Sequence, residues 1–126
     1  MRLQNGGEKD LGARTKAFAM RVVRLYAALP KDTISQVIGK QLLRSGTSVG
    51  AHIAEASFGR SRAEFISKVE GALQEMQESR YWIELLAEAG LVKPDRLAAL
   101  TDEAAELTAI LVTIVQRSRT TARASV

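Results

Sequence analysis

The sequence predicts an all-α protein, an antiparallel up-down-up-down four-helix bundle. Three observations predict it. Apolar residues recur every three or four positions from about residue 13 to about residue 116, the period of helices with a buried face. The interruptions of that period carry helix punctuation: Pro30 with Asp32, Gly59 with Ser61, and Gly90 with Pro94. No segment reads as a strand. Short connections make sequence neighbours antiparallel, and 126 residues are enough for one domain whose core needs no staple.

Residues 1–12 read as a flexible segment, polar and glycine-containing with no period. The first helix spans about 13–29 and buries Phe18, Val22, Leu25, Tyr26 and Leu29. Pro30 ends it by disfavouring helical geometry in the residue before. Arg14, Arg21 and Arg24 fall on a strip beside that apolar face, where their stems can cover the core edge while the guanidinium groups stay in water.

Asp32 or Thr33 caps the second helix, with Ile34, Val37, Ile38, Leu42, Val49, Ile53 and Ala56 as its expected buried face. This helix contains Gln41–Ala56, the stretch around which the other helices are expected to pack. Within it, Ser45-Gly46-Thr47-Ser48-Val49-Gly50 is a run of weak helix formers, each glycine costing up to ~1 kcal/mol relative to alanine. Such a run predicts close approach of a neighbouring helix or a bend near Gly46–Gly50; the alternative is a short loop that splits the helix in two.

Gly59 is a helix stop, and Ser61 with Glu64 is a capping box for a third helix over about 62–89. That helix buries Phe65, Val69, Leu73, Met76 and Ile83, and carries Trp82 and Leu85 on other sides, a second apolar surface that calls for a second partner. Gly90 ends it, and Pro94 with Asp95 opens the fourth, where Leu97, Leu100, Ala104, Leu107, Leu111 and Ile114 follow the a/d spacing of a bundle seam. Ala105, Ile110, Val112 and Val115 widen its apolar surface beyond one stripe, so Trp82, Leu85 and Ile110 are the candidate oligomer contacts. Residues 117–126 read as a flexible basic tail. The domain proper is thus expected over 13–116.

The net charge of +4 conceals an asymmetry: residues 1–62 carry eleven Lys/Arg against four Asp/Glu, and residues 63–126 seven against ten. A basic first half suits nucleic acid or an acidic partner. The candidate phosphate-binding residues are Arg14, Arg21, Arg24, Lys40, Arg44, Arg60 and Arg62. Arg80 is phased toward the apolar face and needs a partner, so structural ion pairs between the second and third helices are expected among Arg44, Glu55, Glu75, Glu78 and Arg80.

No catalytic residues, metal ligands or cofactor are expected. The one histidine, His52, precedes Glu55 by three residues, the reverse of the Glu-x-x-His order of di-iron bundles, and a half-buried, hydrogen-bonded imidazole accounts for it. The chain offers no Ser/His/acid set, and GTSVG lacks the lysine of a phosphate loop. There are no cysteines, and the opening MRLQNGGEKD has charge and glycine where a signal peptide has an apolar run, so the expectation is a cytoplasmic protein with no membrane association.

Gln41-Leu42-Leu43-Arg44-Ser45, Ser48, Ile53-Ala54-Glu55-Ala56, Ser61 to Phe65, Glu75, Glu78 and Tyr81-Trp82 together resemble the four-helix-bundle family known as the 23S rRNA intervening-sequence proteins, related to the accessory variability determinant of diversity-generating retroelements. The resemblance covers about 15–115. It implies a bacterial origin and a bundle protomer that assembles into a ring, typically a homopentamer. It also implies association with nucleic acid, because members are encoded within inserts in large-subunit rRNA genes and the retroelement relatives bind RNA and a reverse transcriptase through a basic surface. The chain departs from the pattern at His52, where the family usually has asparagine, and carries less excess positive charge than the RNA-binding relatives. The expected function is that of a non-enzymatic homo-oligomer binding RNA or DNA backbone; the alternative is an oligomeric scaffold for another protein, with no nucleic-acid activity.

Overall fold

A computed structural model of the chain describes residues 11–124, with side chains to residue 121. Four helices follow one another: α1 (Leu11–Ala28), α2 (Thr33–Ala56), α3 (Arg62–Glu88) and α4 (Pro94–Ala124). Among the described residues there is no strand, and no helix is long and apolar enough to cross a membrane. Sequence neighbours pack against each other: α2 against α3 is the broadest seam, α1–α2 and α3–α4 follow, and α1–α4 is thin. The first turn of α1 meets the middle of α4 and its last turns meet the start of α4, so these two are also antiparallel. Phe18, Val22, Leu42, Val49, Ile53, Met76, Leu86, Leu107 and Leu111 form the centre of one continuous core.

α2 runs unbroken through Gly46 and Gly50, so the helix does not split into two. Its buried residues include Ser35, Gly39, Leu42, Gly46, Val49, Ile53 and Ala56, alternating in steps of four and three. Two positions of this seam are glycine because α1 or its end lies almost on the backbone there. A Cβ at Gly39 would come 2.4 Å from Leu29 Cδ1 and 3.0 Å from the Tyr26 ring; one at Gly46 would come 2.9 Å from Val22 Cγ2. Turning Ser35, Gly39 and Gly46 inward turns Ile34 and Val37 outward, and both are more than half exposed rather than part of the buried face.

The turns are built as the sequence indicates. Asp32 caps α2, accepting from the Ser35 backbone N–H and hydroxyl at 2.9 Å each. Tyr26 donates to Gln36 Oε1 at 2.6 Å, and Gln36 Nε2 donates to the Pro30 carbonyl, tying the α1–α2 corner. Ser61 caps α3 through the Glu64 N–H, and α3 ends where Gly90, at φ +71°, lets the Gly90 and Leu91 N–H groups return to the carbonyls of Ala87 and Leu86. At the chain ends the helices are longer than expected. α1 begins at Leu11, and α4 continues to Ala124 instead of giving way to a flexible tail at residue 117. Arg119 pairs with Glu70 of α3 across that extension. The expectations for residues 1–10 and 125–126 lie outside the described residues.

Candidate nucleic-acid interface

The seven basic residues expected to bind phosphate do not form one surface. Two are already neutralised within the protomer. Arg14 donates to both oxygens of Glu103 on α4, at 2.7 and 3.2 Å, and lies 3.2 Å from Glu106; these carboxylates hold its guanidinium above the usual range. It closes the thin α1–α4 seam. Arg44 bridges α2 to α3 through Glu75 at 3.2 Å and through a short contact with Glu78. Lys40 is exposed on α2. Arg60 and Arg62 sit at the α2–α3 turn, at the opposite end of a helix about 36 Å long from the α1–α2 corner.

What remains is local and denser than the sequence suggests. Arg21 and Arg24, on the last two turns of α1, line a groove of about 290 Å³ together with Arg96 from the first turn of α4. Leu25, Ala28, Leu97 and Leu100 form its floor. None of the three arginines makes an ion pair among the described residues, and the lining of the groove holds three arginines and no carboxylate. Sequence reasoning missed Arg96 because it belongs to the acidic half of the chain. The antiparallel α1–α4 pairing was the signal that could have found it, since that pairing brings the start of the fourth helix to the end of the first.

The expected ion-pair residues are also partly rearranged. Glu55 pairs with Lys68 at 2.7 Å, not with Arg44, and each partner shifts the other toward its charged form. Glu78 accepts from the Trp82 indole N–H at 2.9 Å as well as from Arg44, and in that order of effect the two hold its carboxyl below the usual range. Arg80 is not buried and joins no ion pair among the described residues; it lies in a separate groove between α3 and α4. The phase of α3 that turns Ser79 and Ile83 inward turns Arg80 out.

Trp82, Leu85 and Ile110 are half-buried, with Trp82 packed edge-on to Tyr81 at a ring separation of 5.0 Å. His52 is half-buried as expected, but its Nδ1 is enclosed without a hydrogen-bond partner and its ring lies on Gly71, where a Cβ would approach to 2.9 Å. Among the described residues no three His, Asp or Glu side chains gather as a metal site.

Comparison with known proteins gives a consistent picture. The model of the family described as 23S rRNA-intervening sequence protein matches residues 9–113. A solved chain described as a protein of unknown function from the S23 ribosomal protein family of Bacteroides thetaiotaomicron is 37% identical, with a TM-score of 0.79 and coverage of 83% of this chain and 97% of that one. No curated protein matches the sequence.

Proposed function

From the fact that this chain belongs to the 23S rRNA-intervening sequence protein family, we propose that it is a non-enzymatic, homo-oligomeric protein that binds the sugar-phosphate backbone of RNA or DNA. The observation that carries this reading is the cluster of Arg21, Arg24 and Arg96 around one groove, uncompensated by acid. Guanidinium groups suit phosphate because they present forked N–H donors and are weakly hydrated. An apolar floor beneath them lowers the local dielectric and strengthens each interaction. Interactions of this kind fix position on the backbone and carry no base sequence, so binding should be indifferent to sequence. Repetition of the groove in an oligomer would turn weak single interactions into avidity.

Titration of the full chain with a structured RNA and with duplex DNA at rising salt tests it. The expected affinity falls steeply with salt, and replacing Arg21, Arg24 and Arg96 by glutamate weakens binding and flattens the salt slope by about one for each phosphate no longer neutralised. Arg60→Glu, at the other end of the bundle, serves as the control for general surface charge. Equal weakening per reversed charge in both variants would refute the site assignment. A wild-type protein with no salt-sensitive complex would move the reading to a scaffold for another protein.

A further inference from the structure

We propose that copies of this chain join side by side, with the exposed Ile34–Val37 ridge of α2 in one copy seated in the α3–α4 groove of the next. The inference rests on the oligomeric half of the proposed function and names the surfaces that would carry it.

The ridge is the pair of residues turned outward by the glycine seam. Ile34 is 62% exposed and Val37 58%, on the same side of α2, flanked by exposed Lys31 and Lys40 that form no ion pair among the described residues. It does not stand alone. The antiparallel register fixed by Ser45 with Ser79 and by Arg44 with Glu78, continued toward the α1–α2 corner, brings Val37 opposite Leu85, with Trp82 a turn away beside Lys40 and Gln41. An apolar surface therefore extends from α2 onto the near side of α3, ending at the half-exposed Tyr81.

The groove lies on the far side of the same helix. It has about 480 Å³ between the last turns of α3 and the first turns of α4, with Ile83, Ala87, Leu97 and Ala98 among its apolar lining. Glu84 and Asp102 line it without ion partners among the described residues and outnumber its one cation, Arg80. A ridge of two aliphatic side chains between lysines thus faces a cleft of aliphatic side chains with acidic edges, complementary in both apolarity and charge. Ridge and groove are different surfaces at the same end of one protomer, on opposite sides of α3. Contact between them is heterologous, and repeated at one level it closes into a ring or continues as a filament. Ile110 lies further along α4, outside the lining of this groove, and is not part of the proposed interface.

Two exposed-site variants test the pairing without threatening the fold: Ile34→Glu with Val37→Glu removes the ridge, and Ala98→Arg obstructs the groove. Mass by light scattering after size exclusion is the readout, with helical circular dichroism as the folding control. The expected wild type contains several protomers, each variant alone is a monomer, and an equimolar mixture gives a heterodimer, because one intact ridge meets one intact groove and no further growth is possible. A wild-type oligomer that survives both variants overturns this pairing and leaves self-assembly standing. Monomeric variants that give no heterodimer also overturn it, since the surfaces would then pair with themselves. A wild-type monomer at micromolar concentration refutes the pairing together with the oligomeric half of the proposed function.

Discussion

Val22 is β-branched, fully buried and held in α1, so a carbon added at Gly46 would meet three of its atoms within 3.3 Å and find none that can swing away. Gly50, one turn further along the same helix, has only ordinary approaches at 3.5 Å to Thr15. Two glycines that look alike in the sequence therefore predict opposite results. Gly46→Ala sets overpacking of about 1–3 kcal/mol against a gain in helix propensity of up to about 1 kcal/mol, and should destabilise. Gly50→Ala keeps the gain without the clash and should stabilise by about 0.5–1 kcal/mol. Urea denaturation of the two variants measures both signs. Small residues in a helix announce a close neighbour, which the sequence conveys; which one is obligatory depends on what the neighbour places opposite. The same limit hid the exposure of Ile34 and Val37, because hydrophobicity ranks side chains and cannot recognise a seam lined by Ser35 and Gly39.

Elements were legible where their ends carry chemistry. Pro30 with Asp32, Ser61 with Glu64, and Gly90 with Pro94 put the internal helix boundaries within a residue or two of where they lie. The end of α4 was not legible, because RSRTTARA has no apolar stripe to report a helix; this segment is tied instead by the Thr121 hydroxyl donating to the Arg117 carbonyl and by Arg119 reaching Glu70. Asp32 gives the element scale its test. Its carboxylate accepts from the Ser35 backbone N–H and hydroxyl, which hold its pKa below the usual value. Glu55, through Lys68, and Glu78, through Trp82 and Arg44, are shifted the same way. A lowered folded pKa gives stability that is fully present above the unfolded value, about 3.9 for Asp and 4.3 for Glu, and is lost as pH falls through the folded value. Asp32→Ala should lower Tm by several degrees at pH 7, and the gap from wild type should narrow below about pH 4 as the wild-type cap protonates. A gap that is constant with pH would mean the cap acts through the hydroxyl geometry of Ser35 and not through charge.

At the scale of the molecule, the bundle and its topology follow from periodicity and loop length alone, whereas the site does not. Charge counted along the chain spread the candidate cations over Arg14, Arg21, Arg24, Lys40, Arg44, Arg60 and Arg62; folding neutralised two, left two others at the far end and recruited Arg96 from the opposite half. Pairwise side-chain geometry decides such matters, and it exists only after packing. One pairing also decides how the molecule avoids being a different bundle. Ser45 and Ser79 are fully buried with their hydroxyl oxygens 2.8 Å apart. Helices with a repeating apolar stripe can slide past one another by a turn and stay almost as well packed, but here a slide brings Ser45 against Met76 or Ile83 and separates the hydroxyls. Each hydroxyl also reaches a carbonyl of its own helix, Ser79 that of Glu75 at 2.8 Å and Ser45 that of Leu42 at 3.4 Å, so a slide forfeits the one hydrogen bond between them, a net loss of about 0.5–1.5 kcal/mol. Ser79→Ala should therefore cost about 0.5–1.5 kcal/mol, and the double alanine less than the sum of the two single changes, as a denaturation cycle would measure. Without its pair of hydroxyls the protein would keep most of its stability and lose its index mark, and a second set of amide resonances from α2 and α3 would report the slipped alignment.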